Sequence, residues 1–261
     1  MSTAGLLALE AGLILALVTA LWAVSVAIRD SSIVDVFWGS GFVVVAWAGF
    51  ALADGSPDRR LLLAVLVTAW GLRLTLYLAR RNLGKGEDYR YAAMRRRHGD
   101  RWPLRSLVVV FWLQGALIWV VSLPVQVAMT DPTPSGLGTL DFAGAALWAV
   151  GLAFEAVGDQ QLARFKADPA NRGKVMDRGL WRYTRHPNYF GDFCVWWGIW
   201  LVALATGSAW WTAVGPAVMS FLLIRVSGAA PLERSLSRRR EGYEDYIART
   251  SAFFPWPPRR R

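Results

Sequence analysis

One cysteine and two histidines are all that 261 residues offer to thiol or imidazole chemistry. Cys194 alone excludes an internal disulfide. His98 and His186, with no HExxH motif and no cysteine cluster, argue against a protein-built metal site. No GxGxxG or GxxxxGK[ST] motif is present, so neither a Rossmann nucleotide fold nor a P-loop is signalled. Short alternating runs that would read as strands are missing as well. Acidic residues are scarce, 19 against 29 lysines and arginines, for a net charge of +10. In a soluble chain that excess would point to nucleic acid, but 54% of the residues are hydrophobic and 15 are tryptophan. Such a chain is too apolar for a soluble domain of its size. Its positive charge is better explained by loops flanking a membrane than by a nucleic-acid partner.

Seven apolar segments follow one another: Ala4 to Ile28, Ile33 to Ala53, Leu61 to Leu78, Leu107 to Met129, Phe142 to Leu162, Phe193 to Ala205, and Ala209 to Gly228. Runs of this kind suit transmembrane helices, the short sixth one tilted or half-buried. The first has no basic residue before it and reads as a retained helix rather than a cleaved signal. The expectation is an all-α, polytopic membrane bundle of about seven transmembrane helices, one domain over 1–261. Lysine and arginine concentrate between Arg80 and Arg105 and between Arg164 and Arg185. The opposite loops carry only Arg59 and Arg60, and 130–138 carries neither type. The positive-inside rule then sets the N-terminus outside and the C-terminus in the cytoplasm. The remainder, 229–261, reads as an amphipathic cytoplasmic tail whose helix starts at Pro231 and which covers a pocket mouth. Its last residues, Arg259 to Arg261, also suit anionic lipid.

Asp35, Arg73, Glu155, Asp159, Asp192 and Arg225 all fall in the cytoplasmic half of their segments. A charge near the bilayer centre costs roughly 3 kcal/mol, so such groups face each other or a wet cavity. One polar pocket open to the cytosol is the simplest common cause, although Arg73 and Arg225 could snorkel. Glu155 and Asp159, four residues apart, share a helix face and call for a cation against them. Glu10 lies toward the outer end of the first segment and breaks the pattern, and Asp141 reads as the N-cap of the fifth. Ser32-x-x-Asp35 matches a capping box, so Asp35 is either a cap partner or a group of the pocket.

The stretch from Arg178 to Asp192 concentrates the polar chemistry. It holds Arg178, Arg182, Arg185, His186, Asn188 and Asp192 directly before an apolar run. Pro187 biases His186 away from helix and suits a first helical turn. A cationic loop entering a membrane helix favours an anionic ligand, and equally matches an ordinary basic loop. Many cations beside carboxylates and amides suit a dinucleotide. S-adenosylmethionine would favour the carboxylates but has no phosphate for so many arginines.

Asp159, Gly179-Leu180, Tyr183, Asn188, Gly191-Asp192, Arg225 and Tyr243-Glu-Asp-Tyr ending at Pro255 resemble the C-terminal domain of membrane steroid 5-alpha-reductases and trans-2-enoyl-CoA reductases. Val34-Asp35-Val36-Phe37-Trp38-Gly39, Gly71-Leu72-Arg73 and Arg81-Asn82-Leu83-Gly84-Lys85-Gly86-Glu87-Asp88-Tyr89-Arg90-Tyr91 are similar to motifs of uncharacterised bacterial relatives of those enzymes. The likeness to the reductases covers mainly 107–261; that to the bacterial relatives covers most of the chain. The Arg185-His186-Pro187-Asn188-Tyr189 element is shared with isoprenylcysteine carboxyl methyltransferases and phospholipid methyltransferases.

The resemblance implies an NADPH-dependent oxidoreductase of a bacterial-type inner membrane. It would reduce a carbon–carbon double bond conjugated to a carbonyl in a lipophilic substrate entering from the bilayer. It also implies that Asn188 and Asp192 meet the nicotinamide end, Asp159 the adenosine side, and Lys166 with Lys174 the phosphates. Asn82 with Arg90 matches a cofactor-contacting loop. Glu155, Arg185, His186, Tyr189 and Arg225 complete the expected cofactor set. Where steroid reductases carry a Gln-Glu pair and a tyrosine to polarise the substrate, this chain offers Asp35 without the Gln, and Tyr77, with Trp70 and Arg73 near by. The alternatives are an S-adenosylmethionine-dependent methyltransferase of a lipid or prenylated thiol, and a non-catalytic lipid-binding bundle.

Overall fold

The computed structural model describes residues 1–82, 84–226 and 242–259. Among them no strand forms beyond one isolated bridge, Thr184 with Ser251, and the regular elements are helical. They are α1 (Thr3–Ile28), α2 (Ile33–Leu52), α3 (Pro57–Asn82), α4 (Tyr89–His98), α5 (Trp102–Ser106), α6 (Leu113–Val121), α7 (Leu123–Thr130), α8 (Thr139–Ala167), α9 (Pro187–Leu204), α10 (Val214–Phe221) and α11 (Tyr243–Arg249). Five runs, α1, α2, α3, Tyr89–Val121 and α8, are long and apolar enough to cross a membrane. Large apolar side chains such as Leu15, Val65, Leu76, Val109 and Phe142 stay exposed along them. Water would select against that pattern and lipid selects for it. The chain is a multi-pass membrane protein. The sixth and seventh apolar segments are also helical, but α9 and the run Trp210–Val226 are not among the five. The expected helix start at Pro231 lies outside the described residues.

Two compact units divide the chain. The first comprises Met1–Asp141 with Val202–Gly215. Within it α2 lies antiparallel on α3, because glycines let the backbones touch. A Cβ on Gly39 would stand 2.2 Å from the Gly71 carbonyl oxygen, and one on Gly71 would stand 2.6 Å from that of Gly39. Ser40 and Thr75 share a hydrogen bond at 3.0 Å, and the Trp47 indole donates to Thr68 at 2.9 Å, which fixes the register. The fourth apolar segment is not one straight helix. A π turn runs over Leu107–Trp112, and Pro124 breaks the run between α6 and α7 by removing a backbone donor. Polar side chains fill the gap: Ser122 donates to the Ile118 carbonyl at 2.7 Å, and the Gln126 amide donates to the Trp119 carbonyl and to the Ser122 hydroxyl, both at 2.7 Å. In an apolar surrounding, freed carbonyls have no water to turn to.

Asp141 is not the N-cap. It lies in the first turn of α8 and reaches back to the Gly138 N–H at 2.8 Å, the acid's role in a capping box. It also accepts from Arg59 at 2.8 and 3.1 Å. Arg59 further donates to the carbonyls of Pro134 and Gly136, and both partners of the pair are fully buried. A loop charge in the sequence is therefore a structural pin in the fold.

The second unit comprises Phe142–Leu201 and the chain from Pro216 onward. Gly144, Gly151 and Gly158 recur every seventh residue along α8, so they share one face. Gly191 and Gly198 do the same on α9. A Cβ on Gly151 would stand 2.5 Å from the Gly191 carbonyl oxygen, one on Gly191 2.5 Å from that of Gly151, and one on Gly198 2.6 Å from that of Gly144. Side chains at these positions would push the helices apart. Gly151→Leu and Gly191→Leu should each cost about 1–3 kcal/mol or more, the usual cost of overpacking. Gly12→Leu, where a Cβ meets nothing within 4 Å, should cost little. Thermal unfolding of the detergent-solubilised protein checks both, and equal stability for all three variants would refute the contact.

Candidate functional site

The second unit contains a cavity of about 660 Å³, within the ~300–1,000 Å³ usual for small-molecule sites. Its walls come from three places: the end of α8 and the following loop (Leu162 to Met176), the entry to α9 (Trp181, Arg185, His186), and α11 (Tyr243, Tyr246). Lys166, Arg172 and Lys174 are exposed at it, whereas Arg185, His186, Trp181, Tyr243 and Tyr246 are buried. Cations at the rim and aromatic rings inside suit a ligand with phosphate at one end and flat rings at the other.

Backbone geometry explains how distant residues meet here. Gly179 has φ +58°, and a Cβ on it would lie 2.4 Å from the Gln161 side chain, which itself accepts the Leu180 N–H at 3.0 Å. That turn lets Trp181 fold back and donate to the Gly158 carbonyl at 3.0 Å. Arg185 then holds the C-terminal part of the chain. Its N–H donates to Ser251 at 2.9 Å, and its guanidinium donates to the carbonyls of Ile247 (3.1 Å) and Thr250 (2.6 Å). Tyr246 donates to the Trp181 carbonyl, Thr184 to the Phe253 carbonyl, and the Trp256 N–H to the Tyr183 carbonyl. Burial pushes the Tyr246 hydroxyl well above the ordinary tyrosine value, so it remains a donor. Described residues 242–259 thus form part of the unit's wall, more than the surface cover expected from sequence. Residues 229–241, Arg260 and Arg261 lie outside the described residues.

Of the expected cofactor set, Lys166, Lys174, Arg185 and His186 share this cavity. Glu155 and Asp159 do not line it. They are buried on α8 against the start of α9, where the Asn188 amide donates to Asp159 at 3.2 Å and Gly191 packs on the Glu155 backbone. His186 connects the two layers, since its ring lines the cavity and stacks on Tyr189 with centroids 5.4 Å apart. Asp192 follows Asn188 by one turn and is half-buried. Arg225 is exposed in the π turn Leu222–Val226 and does not line the cavity.

The first unit holds Asp35, Tyr77, Asn82 and Arg90. The capping-box reading of Asp35 is corrected, because Ser32 makes no side-chain cap. Its hydroxyl donates to Asp30 and accepts the Asp88 N–H at 2.7 Å. The Asp35 carboxylate instead accepts from Arg90 at 2.7 Å and from the Tyr91 hydroxyl at 2.8 Å, tying α2 to α4. Tyr77 lies between Arg73 and Arg81, whose guanidinium carbons sit 5.5 and 5.9 Å from its ring centre. The α2–α3 register brings the last turns of α3, with Tyr77, to the level of Asp35. Asn82 accepts from the Arg81 guanidinium at 3.1 Å, and its amide nitrogen is buried with no partner among the described residues.

A family model described as "Protein of unknown function (DUF1295)" matches residues 21–250. The chain belongs to this family. The match takes in both units and every candidate residue from Asp35 to Arg225. An uncharacterised protein of Schizosaccharomyces pombe, C594.04c, is 27% identical over 202 residues, 67% of this chain and 58% of its own length. The chain thus spans a little over half of that relative. No solved structure matches.

Sequence reasoning did not single out Arg172, Trp181 and Tyr246 as cavity residues. Tyr243 and Tyr246, three apart on a short helix, do mark one buried face. The α2–α4 clamp generates a prediction. Burial raises the Glu87 carboxyl, but donation from Arg95 and the Ser31 N–H outweighs it, so its pKa stands below the usual value. Asp88 is raised by burial and lowered further by Arg90, with the same net direction. A depressed carboxylate contributes stability that is present above the unfolded pKa and lost as pH falls through the folded one. Thermal stability should therefore decline below about pH 4, and Glu87→Gln should flatten that decline. Asp35→Asn should cost roughly 1 kcal/mol or less, since the Arg90 side chain is 45% exposed and Asn can still accept from Tyr91. A loss of several kcal/mol would assign Asp35 a larger role.

Proposed function

We propose that the protein is an NADPH-dependent membrane reductase of the steroid 5-alpha-reductase-like superfamily, acting on a carbon–carbon double bond conjugated to a carbonyl in a lipophilic substrate. The observation that carries this reading is the cavity with Lys166, Arg172 and Lys174 at its rim and Trp181, Tyr243 and Tyr246 within. NADPH fits that donor set, and when bound it supplies hydride. The three exposed cations neutralise phosphates, and the rings cover flat heterocycles. Arg185 acts chiefly as a positioning residue, because its guanidinium donates to backbone carbonyls. His186 and Tyr189 connect the rim to the buried Asp159 and Asn188. In the first unit, Asp35 orients the Tyr91 hydroxyl and Arg90, and Tyr77 is held between two arginines.

A methyltransferase reading draws on Glu155 and Asp159, which would suit a sulfonium, but it leaves the rim cations unused. Titration of the purified protein with NADPH and with S-adenosylmethionine separates the two. Lys166→Ala and Lys174→Ala should each weaken NADPH by about 1.5–3 kcal/mol with the fold intact, as expected for contacts to charged groups. Binding of S-adenosylmethionine without NADPH would replace the reductase by the methyltransferase, and binding of neither would favour a non-catalytic bundle.

The same reading sets the basic ends of the helices in the cytoplasm. Thiol labelling tests it with cysteines introduced at Ser135, Gly86 and Gly173, all exposed, while the native Cys194 is buried. Ser56 is too buried to serve as a probe. Impermeant reagent applied to intact cells should reach Ser135→Cys and not Gly86→Cys or Gly173→Cys. The opposite pattern would invert the topology.

A further inference from the structure

The second unit carries another groove, of about 830 Å³, that the proposed cofactor does not use. It is lined by Arg178, Arg182, Arg249 and Arg259, with Asp177 and Tyr183. Four arginines from three separate stretches converge there. Among the described residues Asp177 is its one acidic lining residue, and that carboxylate is already paired with Arg249. The groove is built on fixed backbone: the Arg259 N–H donates to the Arg249 carbonyl at 3.0 Å and the Trp256 N–H to the Tyr183 carbonyl at 2.9 Å. Arg178 and Arg182 line this groove, whereas Trp181, between them in sequence, lines the cofactor cavity. Tyr183, 43% exposed, lines the groove, and Trp256, 71% exposed, adjoins it through its bond to the Tyr183 carbonyl.

We propose that this groove binds the phosphodiester headgroup of an anionic membrane lipid, with Trp256 seated at the level of the headgroups. Charge excess asks for an anion. The exposed rings select one that arrives with a bilayer, because aromatic side chains favour the membrane interface and juxtamembrane arginines favour anionic lipid. A soluble phosphate would gain nothing from Trp256. The site stands whether or not the neighbouring cavity holds NADPH.

The test uses the full chain in mild detergent, with native mass spectrometry and thermal unfolding as readouts. The probes are dioctanoyl phosphatidylglycerol, dioctanoyl phosphatidylcholine and inorganic phosphate. Phosphatidylglycerol should bind and raise the unfolding temperature, and phosphatidylcholine and inorganic phosphate should not at the same concentration. At about 1 kcal/mol per arginine, Arg178→Gln with Arg182→Gln should weaken phosphatidylglycerol roughly 30-fold. Both side chains are exposed, so the variant should fold, and Arg178→Lys with Arg182→Lys should retain most of the binding. Trp256→Ala should weaken the lipid while leaving any response to inorganic phosphate unchanged. Equal binding of phosphatidylcholine, full binding by the Gln variant, or an equal response to inorganic phosphate would each overturn the proposal.

Discussion

Contact between the backbones of α8 and α9 is the constraint on which the second unit depends. Where Gly151 meets Gly191, each would-be Cβ lies 2.5 Å from the other's carbonyl oxygen, so no side chain is tolerated on either. In lipid there is little hydrophobic gain from bringing two apolar helices together. Close approach of small residues supplies packing instead. The consequence is chemical as well as structural. The same closeness sets Glu155 and Asp159 against the first turns of α9 and lets Asn188 reach Asp159. Two carboxylates four apart on one helix would repel in the open, and here they face an amide and the entry to a basic loop.

Charge is handled differently in the two units. In the first, two cations of the basic stretch, Arg90 and Arg95, are neutralised internally. Arg90 is shared by Asp35 and Asp88, and Arg95 pairs with Glu87, so the loop after α3 becomes a clamp. Arg59 is spent inside the unit on Asp141 and two carbonyls. In the second unit Arg185 is likewise spent on backbone, but Lys166, Arg172, Lys174, Arg178 and Arg182 line open volumes. A cation paired with a carboxylate has its charge balanced within the fold, whereas one that donates only to carbonyls keeps a net charge that a ligand can still meet.

Much of this was legible in the sequence, for a physical reason. Membrane-length apolar runs have few solutions other than helix, so α1, α2, α3 and α8 begin and end close to the expected segments. The break at Pro124 was readable in principle. The π turn before it was not, because it follows from packing. Lys166, Lys174, Arg185 and His186 share a cavity partly because they are close in sequence. Tyr246 reaches it through its own bond to the Trp181 carbonyl and through those that Arg185 and Thr184 make to residues more than sixty positions later. The capping box failed for the same reason in reverse. A four-residue pattern assumes that the Ser32 hydroxyl is free, whereas Asp30 and the N–H of Asp88, from a loop 56 residues away, had already engaged it.

The segment from Arg178 to Arg185 shows how one short stretch can serve two surfaces. Gly179 takes a left-handed conformation and starts a 3-10 turn, Gly179–Arg182. Successive residues of such a turn point about 120° apart, so Trp181 and Arg182 face different ways, and Arg178 stands before the turn in extended backbone. Trp181 enters one cavity while Arg178 and Arg182 line the other groove. An α-helix here would have set Arg178, Trp181 and Arg182, at i, i+3 and i+4, on one face, and a flexible loop would have fixed none of them. The turn is held by Gln161 on one side and by Tyr246 on the other. A change at either support would disturb both surfaces together, whereas a change at Arg178 or Arg182 alters only the charge of one.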